Sequence, residues 1–229
     1  MPAADPTADE ALVAAWVAGD RHAAESLTRR HYPNVRRFFD LRLPHLADDL
    51  TQQVFAAVAE QIGRLPPGAS FKAYLFGIAR KHLLRWLRKQ GRHDRAVRVA
   101  SEDSTAKTSL SVVAARREEE VLLLMALTTL PVDLQIAVDL YYWEGMSTAA
   151  IGAALETNPS TIGSRLARAR ELIVEAVVDM TRPGALRDRV VLDLDRLYRE
   201  LGPATLAANA QGTSESGVGS HVQRPPLLK

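Results

Sequence analysis

The chain has 229 residues, with 29 Lys+Arg against 27 Asp+Glu, a net charge of +2, 47% hydrophobic and 24% charged side chains. That is the balance of an ordinary globular protein, long enough for one large core or two small ones. The absence of cysteine excludes disulfides, zinc–thiolate sites, iron–sulfur clusters and a cysteine nucleophile, and fits a reducing cytoplasm.

No apolar run approaches the roughly 20 residues of a membrane span. The acidic opening MPAADPTADE lacks the basic and apolar regions of a secretion signal. A cytoplasmic chain without membrane insertion is expected. The first half reads as helices. In TADEALVAAWVAGD, Thr7 and Glu10 form a capping box ahead of Leu12, Val13, Trp16 and Val17 at helical spacing. Gly19 stops that helix, and Asp20 caps the next, which continues through Leu27 toward Tyr32. PNVRRFFDLRL and LADDLTQQVFAAVAEQIGRL extend the pattern with Leu46, Leu50, Val54, Val58 and Ile62. PPGAS then breaks the chain before a long helix from Phe71 to about Arg92.

From Ala96 to about Ala115 the pattern fails in a Ser/Thr/Ala-rich stretch, the expected linker. Helices resume over Glu118–Leu130, stop at Pro131, and run again over Asp133–Trp143. After EGMS, Ser147 caps TAAIGAALE, with Gly152 inside it. Asn158 and Pro159 open a further helix along NPSTIGSRLARAREL, so helix, tight turn and helix follow in helix-turn-helix spacing. RPG breaks the chain after Met180. ALRDRVVLDLDRLYREL is then an amphipathic helix over 185–201, with Leu186, Val190, Leu194, Leu197, Tyr198 and Leu201 on one side. The Gly/Ser/Ala/Pro-rich remainder is expected to be disordered.

Two stretches carry chemistry. Phe71–Arg98 holds nine basic residues against one acid, Asp94. Lys81, Arg85, Arg88 and Arg92 fall within about 60° of one helix face, with Trp86, Tyr74, Phe71 and Phe76 nearby. Like charges stacked this way repel one another, a cost that a polyanion reverses by releasing its counterions. Aromatic surface beside them suits packing or stacking on unpaired bases. In the helix-turn-helix, Ile162, Leu166, Ala169 and Ile173 face a core. Thr161, Ser164, Arg165 and Arg168 lie away from it, a set suited to phosphates and base edges. Each stretch has a plainer reading: a solvated charged face, and a helical hairpin in a bundle.

Taken in order, the motifs resemble the bacterial sigma factors of the extracytoplasmic-function type over about residues 8–178. DEALVAAWVAGDRHAAESLTRRHYPNVRRFF resembles that family's opening helices, and ADDLTQQVFAAV its polymerase-gripping segment. SFKAYLFGIARKHLLRWLRKQGR resembles the segment that melts and reads the −10 promoter element. LTTLPVDLQIAVDLYYWEGMSTAAIGAALETNPSTIGSRLARARELI resembles its −35-reading domain. The resemblance implies an all-α protein of two small helical domains: 1–95, a linker over 96–117, and 118–180, followed by a C-terminal extension over 181–229. It implies that Asp49, Gln52 and Gln53 bind core polymerase. It places the −10 element on the loop Leu65, Pro66, Pro67, Gly68, Ala69 and Ser70 and on Lys81, Arg85, Trp86, Arg88, Lys89 and Arg92. It places the −35 element on Ser160, Thr161, Ser164, Arg165 and Arg168. Partners are then RNA polymerase core (β′ clamp helices and β flap) and promoter DNA, with an anti-sigma factor common in the family. No cofactor or metal is implied.

The chain departs from the family pattern at several positions. Arg85 stands where the family often has an acid, Lys81 where it often has Asn, and Gln53 where Glu is common. Gly163 replaces a usual Lys or Arg, and Ala149 and Ala150 replace common acids. The segment Ala185–Leu201 is not required by the family; its apolar side suggests docking on this chain's own surface, restraining DNA or core binding. An enzyme is the rival class, yet the six histidines (22, 31, 45, 82, 93, 221) show no metal-ligand spacing and PPGAS lacks a phosphate-loop lysine. A one-component regulator would explain the helix-turn-helix but neither the Lys81–Arg92 stripe nor the Asp49–Gln53 segment. An adaptor working through the Ala185–Leu201 face is the third alternative.

Overall fold

The computed structural model describes residues 6–66, 68–97 and 118–201, and every regular element among them is helical. Helix α1 (Pro6–Val17) begins at its proline, whose fixed φ suits a first helical position, so Thr7 falls inside the first turn instead of capping it. Gly19 (φ 99°) turns the chain out of α1, and the Asp20 carboxylate caps α2 (Arg21–Asp40) by accepting from the His22 and Ala23 amides at 2.8 and 3.4 Å. The second helix continues past Tyr32 through Pro33 into the PNVRRFFDLRL stretch as one element. A proline inside a helix costs about 3 kcal/mol. Here it lies on the exposed side, while Val35, Phe38 and Phe39 beyond it are buried.

Leu50, Val54, Phe55 and Val58 of α3 (Ala47–Gln61) and Phe71, Leu75, Phe76, Ala79 and Leu83 of α4 (Phe71–Val97) close the first core over α2. Of the expected linker, residues 96–97 end α4, and 98–117 lie outside the described residues, as does 202–229.

The second unit comprises α5 (Glu118–Thr129), α6 (Val132–Val138), a π turn over Asp139–Trp143, α7 (Thr148–Leu155) and α8 (Pro159–Met180). Ser147 caps α7 through its hydroxyl, which accepts from Ala150 N at 3.2 Å. Asn158 occupies the expected N-cap position of α8, yet its side chain makes no capping hydrogen bond. Glu156, in left-handed conformation (φ 54°), makes the turn between the two helices. Gly152 is required there: a Cβ at this position would lie 2.8 Å from the Thr157 carbonyl oxygen.

The expected helix over 185–201 is in fact two: α9 (Ala185–Leu192) and α10 (residues 194–201), broken at Asp193. The Asp193 carbonyl accepts the Leu197 amide and its carboxylate holds Arg196 at 2.8 Å, so the break starts a new helix. Val190, Leu194, Leu197, Tyr198 and Leu201 are buried in a second core with Leu123, Ala169, Ile173 and Val177. Docking of the extension on the chain's own second unit is therefore observed.

The two units also pack on each other. Ile136, Leu140, Met146, Ile151, Ala154, Leu155 and Ile162 belong to the same apolar cluster as the α2–α4 core. Gly77 of α4 lies under α7, where a Cβ would meet the Ala154 carbonyl oxygen at 3.1 Å.

Asp9 ties α1 to α2 through Arg30 and, at 2.8 Å, through Nε2 of His31, which is 1% exposed. His31 Nδ1 has no partner, so a second ring proton would be buried unbonded. Burial lowers the His31 pKa, and the cations Lys72 and Arg30 add to that, against the raising effect of Asp9. The folded-state pKa thus lies below the unfolded one, so neutral His31 contributes stability above about pH 6.5 that is lost as pH falls. The stability gap between the protein and its His31→Gln variant, read by thermal unfolding, should narrow between pH 7.5 and 5.5. A gap that widens over that range would mean a charged His31.

Candidate nucleic-acid and polymerase interfaces

Asp49, Gln52 and Gln53 sit at i, i+3 and i+4 on α3, on one exposed face. The neighbouring Asp48 is engaged by Arg36 Nε at 2.7 Å, whereas Asp49 points outward from the same helix start. These three side chains form a small polar ledge of the kind a partner protein can reach.

A second surface starts at the α3–α4 connection. Ala69 N donates to Pro66 O at 3.0 Å, and Gly68 (φ 74°) occupies the position of that turn where a positive φ is needed. Pro67 lies outside the described residues. Ser70 caps α4, its hydroxyl accepting from Ala73 N at 3.2 Å. Leu65, Pro66, Ala69 and Ser70 line one side of an open cavity of about 520 Å³, and Tyr74, Gly77, Ile78, Lys81, His82 and Arg85 line its α4 side. The far wall comes from the second unit: Ala150, Ala153, Ala154 and Glu156.

From that cavity Lys81, Arg85 and Arg88 run along the exposed face of α4 with Lys89 beside them. The structure brings Lys81 and Arg85 to the cavity beside the loop, with Lys81 held by Glu156 of α7 at 2.7 Å, while Arg88 and Lys89 lie further along the helix. Arg92 continues the helix, and its side chain lies outside those described. Trp86 is half-buried against the core, its ring centroid 6.3 Å from that of His45, so it is as much packing as platform.

The third surface is the start of α8. Ser160, Ser164 and Arg168 are exposed, and Thr161 and Arg165 half-exposed, along one side opposite the buried Ile162, Ala169 and Ile173. Arg165 has one guanidinium nitrogen (Nη1) buried without a partner. Arg168 is paired with Glu171 at 2.9 Å and Glu175 at 3.8 Å, exposed pairs that contribute little. The Ser164 hydroxyl donates to Ser160 O at 3.2 Å. Gly163 lies on the same exposed surface, where an added Cβ would meet nothing within 4 Å. Gly163→Ala should therefore stabilise the second unit by roughly 1 kcal/mol, read as a higher unfolding midpoint. An unchanged midpoint would mean that the α8 start is already fixed by other contacts.

Residues 185–201 of the C-terminal extension pack away from this face. They meet α8 through Arg170, which bonds Asp195 at 2.7 Å.

Sequence reasoning missed the polar contacts between the two units. Arg37 pairs with Glu144 and stands over the Trp143 ring, 5.4 Å from its centroid. Asn34 bonds Glu144 at 3.0 Å, and Lys72 lies 3.5 Å from the same carboxylate. Arg42 pairs with Asp139 at 3.0 Å and Arg80 with Asp133 at 3.7 Å. Burial pushes the Glu144 carboxyl above its ordinary range, against the opposing pull of Arg37 and Lys72. One signal was available: His31, Val35, Phe38 and Arg42 follow Leu27 at helical spacing, so a histidine and an arginine sit on an apolar stripe.

Comparison with known proteins is decisive here. Sigma-70 region 2 matches residues 27–93 and sigma-70 region 4 matches residues 120–173. ECF RNA polymerase sigma factor SigM of Mycobacterium tuberculosis is 31% identical over 167 residues, 71% of this chain and 81% of SigM. This chain belongs to the ECF sigma factors. CarQ of Myxococcus xanthus is 34% identical over 170 residues, 72% of this chain and 97% of CarQ. Among solved structures, the sigma factor RpoE in complex with the anti-sigma factor NepR from Bartonella quintana matches with TM-score 0.57 at 25% identity, covering 68% of this chain and 97% of that one. CnrH, solved with the cytosolic domain of CnrY, shares the fold (TM-score 0.55, 22% identity, 76% and 99% covered).

As an ECF sigma factor the protein directs RNA polymerase to promoters, with the region 2 match lying on α2–α4 and the region 4 match on α5–α8. Such a protein acts by binding and not by catalysis. No helix among the described residues is long and apolar enough to cross a membrane.

Proposed function

We propose that the three surfaces divide the work of initiation. The ledge Asp49, Gln52 and Gln53 meets the β′ clamp helices of core polymerase, and region 4 meets its β flap. The loop 65–70 takes an unstacked −10 base while Lys81, Arg85, Arg88, Lys89 and Arg92 hold the strand backbone and Trp86 flanks it. Ser160, Thr161, Ser164, Arg165 and Arg168 hold the −35 duplex. The observation that carries this reading is the exposed row Lys81–Arg85–Arg88 leading out of the loop cavity. Unpairing and unstacking cost a few kcal/mol per flipped base, which a pocket beside a basic track is built to offset. The work is done in the cytoplasm, where the polymerase is. The relative solved with NepR supports an anti-sigma partner for this chain as well.

The division is testable by variants that separate its parts. Replacing Asp49, Gln52 and Gln53 with alanine should raise the concentration needed to saturate core about tenfold while leaving promoter protection by the saturated holoenzyme unchanged. Replacing Thr161, Arg165 and Arg168 should remove protection over the −35 region only. Equal loss of core affinity from both sets would contradict the assignment.

A further inference from the structure

We propose that the free chain rests in a closed state in which region 4 covers the strand-binding face of region 2, held by acidic side chains of region 4 on region 2 cations, one of which, Glu156, takes Lys81 of the strand-binding row. The proposal rests on the reading of α4 and the loop 65–70 as the strand-binding surface.

Among the described residues five ion pairs join the two units, and all run in one sense. Arg37, Lys72, Arg42, Arg80 and Lys81 of region 2 meet Glu144, Asp139, Asp133 and Glu156 of region 4. The π turn places the two deepest acids. Glu144 N bonds Asp139 O, five residues back; in a plain α-helix those positions would point about 140° apart, whereas here both carboxylates face region 2. Glu144 and Asp139 side chains are 1% and 2% exposed. Pairs so deep are costly to open from one side, because the remaining charge is left buried.

The outer pairs are of a different kind. Lys81–Glu156 is exposed at both ends (59% and 67%), so a nucleic-acid strand can take Lys81 at little cost. Entry to the loop cavity is another matter, since α7 forms its far wall and the Ala154 backbone sits on Gly77. Opening therefore requires separation of the inner clamp.

The C-terminal extension braces that clamp. Trp143 donates from Nε1 to the Tyr198 carbonyl at 2.6 Å, and the same ring lies under Arg37. Tyr142 donates to Asp195 at 2.7 Å and stacks on Tyr198, with 4.6 Å between centroids. Residues outside the region 4 match thus hold two aromatic side chains of the π turn that supplies the clamp.

The chain has no cysteine, so a dye pair can be placed at Ala59→Cys and Asp179→Cys, both exposed. Energy transfer in the full chain reports closure, and anisotropy of a labelled single-stranded DNA oligonucleotide reports access to α4. Glu144→Gln removes the inner charge, and Ala154→Leu wedges α7 from α4 from the region 4 side while leaving every ion pair's residues in place. Both should lower transfer and tighten oligonucleotide binding about tenfold. If Glu144→Gln loses helicity, Ala154→Leu decides. Unchanged transfer in helical variants overturns the clamp. Lower transfer with unchanged oligonucleotide affinity overturns the cover. If Ala154→Leu binds the oligonucleotide equally well with Lys81 and Arg85 replaced by alanine, the strand-binding reading of α4 is what falls, with the closed state judged by transfer alone.

Discussion

Holoenzyme carrying Lys81→Ala, Arg85→Ala and Arg88→Ala should bind a forked promoter with an unpaired −10 strand roughly fifty-fold more weakly at 0.15 M salt. Three strand phosphates neutralised by these cations release counterions, with a slope of about −0.7 per contact for single strands. The variant's plot of log affinity against log salt should therefore be shallower by about 2. The three side chains stand on the exposed face of α4, away from the core, so helicity and core binding should be unchanged. An unaltered salt slope would show that these cations do not meet the strand. The comparison must be made in holoenzyme, because in the free chain Lys81 is held by Glu156.

The second large effect concerns a residue outside the sigma-70 matches. Tyr198 is among the largest fully buried side chains, 1% exposed and stacked on Tyr142. Tyr198→Ala should cost about 3–5 kcal/mol, the range for emptying a buried aromatic site, and should lower the unfolding midpoint of region 4. Tyr198→Phe should do the opposite or nothing. The Tyr198 hydroxyl is buried without a hydrogen-bond partner, so its removal relieves a desolvation cost of about 1–3 kcal/mol. Tyr142, by contrast, spends its hydroxyl on Asp195, and burial with that bond pushes its pKa up to about 12. Tyr198→Ala with little effect would mean that the extension is only loosely attached; the pair of results measures whether it belongs to the fold.

Much of this was legible in the sequence wherever a local rule decides. Gly19–Asp20 punctuates α1 and α2 because a left-handed residue and a carboxylate cap act within a few residues of themselves. Ser147 caps α7, and the Ile162–Ala169–Ile173 stripe turns α8 inward, for the same reason. The row Lys81–Arg85–Arg88 was visible because one helix displays it whatever packs behind. What escaped depends on distant partners. Pro33 is overridden by the buried side chains beyond it. Arg36 and Arg37 are neighbours in sequence, yet the first meets Asp40 and Asp48 near the surface and the second is 4% exposed under region 4. Nothing local distinguishes them; Glu144, 107 residues away, does. The π turn, likewise, has partners far along the chain for its acids and aromatics.

The most direct test of the central claim is run-off transcription by purified core polymerase from the promoter upstream of the protein's own gene, with and without the protein. A promoter-dependent transcript is expected only when both core and protein are present. A duplex footprint by the protein alone, with no transcript when core is added, would contradict it and make the chain a regulator of duplex DNA instead.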